Sequence, residues 1–131
     1  MHVLSTEDTK PLQTPNGEII HELLGRYVGE GNIAHSVAHI TVPAGKASLR
    51  HYHPVAQEAY YVLSGVGYLE LGLEKRHLKP GELAFIPPRV PHKIASSGDQ
   101  DLVMLVTCAP AWEPSNSIWL ERWEDGAAVP V

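Results

Sequence analysis

Apolar residues occur in this chain as short segments rich in Val, Ile, Leu and Tyr, and turn-forming residues separate one segment from the next. Segments of strand length between closely spaced turns are typical of β-sandwiches and β-barrels. From Ile33 to Thr107 no long stretch has the periodicity of an amphipathic helix. The pattern therefore predicts an all-β fold, with strands near residues 19–25, 34–42, 48–53, 57–64, 67–73, 75–78, 83–86, 92–95 and 101–108.

The two ends of the chain depart from this pattern. We expect residues 1–17 to form an N-terminal arm, residues 18–110 the barrel, and residues 111–131 a tail that packs on the barrel or on a partner subunit. Within the tail, segment 118–123 is either an edge strand or a short helix, because Trp119 and Trp123 are four residues apart.

Composition limits the class of protein. The chain has 131 residues, which fits one domain, and its net charge of -5 is spread over mixed signs with no Lys/Arg run. Neither nucleic acid nor a membrane is therefore an expected partner, and no apolar run is long enough to cross a bilayer. One cysteine, Cys108, and no visible signal peptide lead us to expect a cytoplasmic protein.

Two histidines with strand spacing are the first candidate for chemistry. His51 and His53 are two residues apart, so on a strand both rings lie on one face with Cα atoms roughly 6.5 Å apart. Both can then reach one metal ion. Glu58 follows after a turn that begins at Pro54, and we expect it on the antiparallel neighbouring strand, where it would add an anionic oxygen.

A second segment offers a third imidazole. Pro87-Pro88 ends a predicted buried strand, and Pro91 immediately precedes His92. A histidine from a distant strand is what a barrel needs to complete a site that begins with His51 and His53.

With both segments in view, the chain resembles the cupins, a family of double-stranded β-helix (jelly-roll) barrels. Their first motif has glycine, five residues, His-X-His, three or four residues, glutamate, six residues and glycine. The residues that match it without a gap are Gly45, His51, His53, Glu58 and Gly65.

The second cupin motif is matched in part. It has glycine, five residues, Pro-X-Gly, two residues, histidine, three residues and asparagine, and Gly81, Pro87 and His92 fit it. Arg89 replaces the usual central glycine and Ser96 replaces the asparagine. Because glycine often supplies a positive φ, Arg89 leaves the conformation of this turn open.

The resemblance implies a metal site and a range of functions. Cupins use these histidines and this glutamate to bind Mn, Fe, Ni, Cu or Zn, which implies one divalent ion on His51, His53, Glu58 and His92. The stretch around these ligands looks most like small single-domain bacterial cupins similar to mannose-6-phosphate isomerase domains. We expect a metal-dependent enzyme for a small oxygenated substrate, of the Lewis-acid isomerase or lyase type or of the dioxygenase type. A non-catalytic module that binds a small ligand or a metal is the alternative.

Further residues are candidates for a role beside the metal. Strand alternation points Tyr60 inward with Glu58, either towards a substrate or simply into the core. His35 and His39 share one strand face and are candidate bases, with surface or packing positions as the alternative. The expected ligand is a small molecule such as a carboxylate or a sugar, and Arg89 at the rim suits a carboxylate. The family resemblance also implies a homodimer, which would cover open strand edges.

Overall fold

A computed structural model describes residues 1–122, which are built almost entirely from antiparallel strands. Two 3₁₀ turns, Thr6–Asp8 and Pro114–Asn116, lie near the ends. In chain order the strands are β1 (Leu12–Gln13), β2 (Ile19–Leu24), β3 (Ser36–Val42), β4 (His51–Tyr52), β5 (Gln57–Ser64), β6 (Gly67–Leu71), β7 (Glu74–Leu78), β8 (Leu83–Ile86), β9 (His92–Ser96), β10 (Leu102–Ala109) and β11 (Ile118–Trp119).

These strands form two sheets with the core between them. One sheet has six strands in the order β1-β2-β3-β10-β5-β8, and the other has five in the order β11-β4-β9-β6-β7. Alternate residues of each strand face inward, as the period of two in the sequence requires. The fully buried side chains of Val62, Met104 and Ile86 therefore come from one sheet, and Ile94 comes from the other. The expected all-β double-stranded barrel is confirmed.

The strands differ most from the sequence prediction in three places. Segment 48–53 forms only the two-residue strand β4, because the chain leaves the sheet at His53 and Pro54. The arm contributes β1, which pairs with β2 and had no counterpart in the predicted strands. In the tail, β11 pairs with β4, so Ile118 and Trp119 adopt the strand alternative, whereas Trp123 lies outside the described residues. The division into arm, barrel and tail stays a prediction.

The connection after His53 corrects one expectation. Glu58 was expected on the antiparallel neighbour of the strand that carries His51, but β4 pairs with β9 and β11, while β5 pairs with β10 and β8. Residues 54–56 thus carry the chain from the smaller sheet to the larger one. Glu58 reaches His51 across the interior of the barrel and not along a ladder of hydrogen bonds.

Within residues 1–122 no helix is long and apolar enough to cross a membrane.

Candidate metal centre

Both sheets contribute to a cluster of three histidines and one glutamate. In the smaller sheet His51 on β4 is the register partner of His92 on β9, and His53 follows two residues after His51 on the same side. Glu58 enters from β5 of the larger sheet. Each residue offers one ligand atom, and all four of these atoms lie within 4.8 Å of one another. The structure thus brings together the four ligands proposed from the sequence.

Backbone carbonyls fix the orientation of every imidazole in the cluster. The Nδ1 atoms of His51, His53 and His92 lie 2.7, 2.7 and 2.9 Å from carbonyl oxygens, which belong to Leu49, Asn116 and Val90 respectively. A carbonyl oxygen only accepts, so each Nδ1 carries the proton and donates it. Each Nε2 is therefore left as the atom with the free lone pair, as metal ligation requires.

Lone pairs at the centre of the cluster would repel one another in the absence of a cation. Oε1 of Glu58 lies 2.9 Å from Nε2 of His53 and 3.1 Å from Nε2 of His92. Nε2 of His53 is buried and has no hydrogen bond of acceptable geometry in the described structure, despite this short distance. When Nδ1 holds the ring proton, an Nε2 lone pair and a carboxylate oxygen repel each other unless a proton or a metal ion lies between them. These residues therefore fit a divalent cation with nitrogen and oxygen ligands.

The protonation equilibria of the cluster favour an anionic glutamate. Burial alone would raise the pKa of Glu58, but protons held between it and the imidazoles of His53 and His92 supply hydrogen bonds and charges that keep it well below its usual range. Burial, helped by the neighbouring His92, lowers the pKa of His51 to about 4. Burial would also lower the pKa of His53, but a proton shared with Glu58 and the charge of Glu58 outweigh burial and raise it, and a metal ion at this point would take the place of that proton. An ionised carboxylate and a neutral His51 are the forms that bind metals.

A cavity of about 620 Å³ opens beside this cluster. Its lining is mainly apolar, with His51, His53 and Glu58 on one part of the wall. This volume lies within the roughly 300–1,000 Å³ that small-molecule sites occupy. An ion on the cluster would therefore face a space large enough for a substrate of sugar or nucleoside size.

Tyr60 lies at the junction of the core and the cavity. Its side chain is buried, lines the cavity, and approaches the ring of His92 edge-on with centroids 5.9 Å apart. Burial, with a smaller contribution from the negative charge of Glu58, raises the pKa of Tyr60 well above its ordinary value. The phenol is therefore neutral and available as a donor, and its catalytic role stays a prediction.

The structure does not bring His35 and His39 to the metal cluster. His39 pairs with His21 on β2 and with Leu105 on β10, whereas its neighbours Ala38 and Ile40 line the cavity. Alternation therefore places His39 on the opposite face of the sheet, and His35 is exposed just before β3. The expectation that His39 acts as a base near the metal is corrected, because the inward register of this strand falls on even-numbered residues.

Cys108 and Arg89 lie outside the metal cluster. Cys108 is buried, and burial raises the pKa of its thiol to about 12, so it remains protonated and packs as a small core residue. Arg89 is exposed and does not contribute to the cavity wall, but its φ of 68° reproduces the conformation that glycine usually provides there. Its N–H donates to the carbonyl of His53, 2.8 Å away.

Several residues of the site were not found from the sequence. Glu18 and Glu22 line the cavity from β2 and its approach. Their spacing of four, with Ile20 between them, was a signal that all three share a strand face. The carbonyl of Asn116, which orients His53, comes from the tail, 63 residues further along the chain, and no local pattern announces it.

A barrel of two antiparallel sheets with a buried cluster of three histidines and a glutamate defines a class of protein, and similarity to known proteins identifies that class. The model of the cupin domain family matches residues 38–108, so the chain belongs to that family. An uncharacterized protein of Methanocaldococcus jannaschii is 37% identical over 123 residues, which span 92% of this chain and 98% of that protein.

Solved structures with the same fold include proteins of different activities. A single-residue variant of Streptomyces Pac13 with uridine has a TM-score of 0.77 at 18% identity, covering 92% of each chain. Pac13 is described as a nucleoside dehydratase. A predicted oxalate decarboxylase from Thermotoga maritima has a TM-score of 0.74 at 24% identity and covers 82% of this chain and 98% of its own. At these identities the likeness shows the fold alone.

Proposed function

We propose that this cupin is a metal-dependent enzyme of the isomerase or lyase type that acts on a small oxygenated molecule in the barrel. The observation that carries the proposal is the arrangement of the three imidazoles. Each donates its Nδ1 proton to a backbone carbonyl and turns Nε2 towards one point beside Glu58 at the wall of a cavity. A site closed on all sides would serve structure, whereas a site that opens on a cavity leaves room for substrate.

The chemistry divides between the ion and the chain. A bound divalent ion would polarise a carbonyl or hydroxyl oxygen of the substrate as a Lewis acid. The chain holds the ligands through backbone carbonyls, surrounds the substrate with a mainly apolar wall, and presents Tyr60 as a neutral hydrogen-bond donor beside His92. Isomerase and lyase reactions need such donors and acceptors near the substrate. Fold neighbours that include a nucleoside dehydratase are compatible with this class.

Metal analysis after purification without added metal tests the site. The wild-type protein should retain about one equivalent of a divalent ion, and a His51→Ala/His92→Ala variant should retain almost none. The matched control is His35→Ala, which removes an exposed histidine that does not line the cavity. Full metal retention in the double variant would contradict the ligand assignment.

The activity is tested separately. The metal-loaded protein should convert at least one member of a panel of small hydroxylated carbonyl compounds and nucleosides, and the double variant should not. Turnover that requires O₂ and iron would instead establish a dioxygenase. A metal-loaded protein that binds members of the panel without converting any of them would establish the non-catalytic binding module.

Homodimerisation also stays a prediction, and the edge strand β8 is the surface that supports it. No strand of residues 1–122 pairs with the outer side of β8, and its Leu83 and Phe85 are 62% and 53% exposed. A second copy fits this edge, because antiparallel β8–β8 pairing about a two-fold axis would extend the sheet and cover identical apolar residues. Sedimentation velocity should give a dimer for the wild-type protein and a monomer for Phe85→Glu, with Leu73→Glu as an exposed control. A monomeric wild-type protein would contradict it.

A further inference from the structure

Two glutamates form an acidic wall inside the barrel, apart from the metal cluster. Glu18 and Glu22 lie on the cavity side of β2 and its approach, with Ile20 between them. Neither is a member of the cluster of possible metal ligands. We call this pair the acidic wall.

The carboxyl groups of the acidic wall receive few hydrogen bonds from the described part of the protein. Glu18 is only 8% exposed, and the one side-chain hydrogen bond that its carboxyl makes in the described structure is a long one, 3.4 Å, from the hydroxyl of Thr14. Oε1 of Glu22 is buried and has no hydrogen-bond partner within residues 1–122. A carboxyl oxygen that is removed from water without a partner lowers stability. Such groups in a cavity are therefore candidates for contact with a ligand.

The position of the acidic wall relative to the metal cluster sets the size of that ligand. Glu22 pairs with Ala38, Ala38 with Val106, and Val106 with Tyr60, so three steps between neighbouring strands separate Glu22 from the strand of Glu58. Three such steps correspond to roughly 14 Å along the sheet, and less across a curved barrel. Side chains project inward from both ends of this path. The gap suits a molecule of sugar or nucleoside size held at both ends.

We propose that Glu18 and Glu22 bind hydroxyl groups of a neutral polyhydroxylated substrate whose other end is held at the metal. This inference rests on the proposed function and adds the class of substrate. Carboxyl oxygens are the acceptors that hydroxyl donors need. A hydroxyl also accepts, so it can pair with these buried groups whether or not they are ionised.

The same wall disfavours anionic substrates. Above the raised pKa values of Glu18 and Glu22, a carboxylate in this part of the cavity would face both with like charge and without solvent to screen it. Lys10 also lines the cavity, but it is exposed and Asp8 is among the lining residues near it in the sequence, so its attraction for an anion is screened. The sequence left carboxylates and sugars as alternatives, and the acidic wall favours sugars.

Matched ligands on the metal-loaded protein test this inference. The probes are neutral compounds paired with their carboxylate and amino counterparts: D-glucose with D-glucuronate and D-glucosamine, and uridine with orotidine. Isothermal titration and saturation-transfer NMR, carried out above the raised pKa of Glu18 (about 7) so that its carboxyl is ionised, would measure binding. At least one neutral probe should bind about tenfold more tightly than its carboxylate counterpart, since a desolvated like-charge contact is unfavourable.

Variants of the acidic wall connect this preference to the two residues. Glu18→Gln and Glu22→Gln should each weaken binding of the neutral probe about tenfold and narrow its advantage over the carboxylate, because a hydrogen bond to a charged acceptor is stronger than one to an amide. Glu30→Gln, which changes an exposed glutamate outside the cavity, is the matched control and should leave binding unchanged. Thermal unfolding would verify that each variant is folded.

Four results would overturn the inference: tighter binding of the carboxylates, tighter binding of the amines, equal binding by the glutamine variants, or no binding by any neutral probe. Metal content, measured in every sample, separates this failure from failure of the proposed function. A wild-type protein that retains its metal but prefers carboxylates contradicts only the acidic wall. A wild-type protein that retains no metal contradicts the proposed function first.

Discussion

Two buried acidic regions face the same cavity, and the environment of each gives its carboxyl groups opposite properties. Glu58 lies between the Nε2 atoms of two imidazoles, 2.9 and 3.1 Å away, and its pKa is held well below the usual range. Glu18 is buried with one long hydrogen bond to its carboxyl group, and burial raises its pKa to about 7. Burial raises the pKa of Glu22 as well.

The difference shows that residue type and burial alone do not determine a carboxyl group's role. Both Glu58 and Glu18 are more than nine-tenths buried. Where imidazoles that share protons or a metal ion with the group surround it, the anion is stable and suits a metal ligand. Where they are lacking, the group holds its proton more readily and lowers the stability of the folded state when it ionises.

The strongest test of the comparison is removal of the metal. Because the proposed ion joins ligands from both sheets, it binds only the folded barrel and stabilises it by mass action. At a free metal concentration of about 1,000 times Kd the gain is about 4 kcal/mol. Denaturant unfolding of chelator-treated and metal-loaded protein would measure it. Coincident unfolding curves would show that the cluster of Glu58 holds no ion.

The acidic wall should behave in the opposite sense, and removing its charge should stabilise the protein. Since folding raises the pKa of Glu18 from 4.5 to about 7, the folded state binds more protons than the unfolded state between these values. The stability contributed by protonated Glu18 is thus complete below 4.5 and is lost as pH rises through about 7. Glu18→Gln should therefore gain stability over the wild-type protein with rising pH, by at most about 3 kcal/mol above the raised pKa.

The measurement is denaturant unfolding of wild type and Glu18→Gln at several pH values, with Glu30→Gln as the control. Parallel stability profiles for Glu18→Gln and wild type would mean that Glu18 is ionised at the same pH in the folded and unfolded states. In that case the contrast with Glu58 would disappear.

The sequence predicts the metal ligands far better than it predicts the residues of the acidic wall. His51, His53 and Glu58 follow one another within eight residues, and their spacing carries both strand geometry and a family motif. The second motif adds His92 as the remaining ligand. Glu18 and Glu22 belong to no motif, and although their spacing predicts one shared strand face, the sequence does not give the face that turns inward. His39 was assigned to the wrong face for a related reason, because a shift of one residue exchanges the two faces of a strand.

A smaller effect is expected from the support that the tail gives to the metal cluster. The carbonyl of Asn116 accepts from His53 Nδ1, and its side-chain oxygen accepts from the N–H of Val55, 3.1 Å away. Asn116→Ala removes only the second bond, which should lower stability by about 1 kcal/mol. Because it also loosens the carbonyl that orients His53, metal affinity should fall about tenfold.

Competition with a chromophoric chelator would measure this affinity, with the exposed Ser115→Ala as the control. Unchanged affinity would mean that the backbone at Asn116 keeps its place without the side-chain bond. Binding of neutral ligands at the acidic wall should be unaffected in the metal-loaded variant.

The smallest expected effect concerns backbone strain beside the metal cluster. Arg89 has a φ of 68°, in the left-handed region that costs a residue with a side chain about 1–2 kcal/mol. Glycine removes this strain but has more freedom in the unfolded state, worth about 0.5–1 kcal/mol, so Arg89→Gly should stabilise the protein by about 0.5 kcal/mol. Arg89→Ala keeps the strain and loses the exposed side chain, so it separates the two causes. If Arg89→Gly and Arg89→Ala unfold alike, the left-handed turn stores no strain. If only Arg89→Gly is stabilised, the backbone at Arg89 lowers the stability of the region beside the metal cluster. At the acidic wall, by contrast, the charge of the carboxyl groups lowers stability.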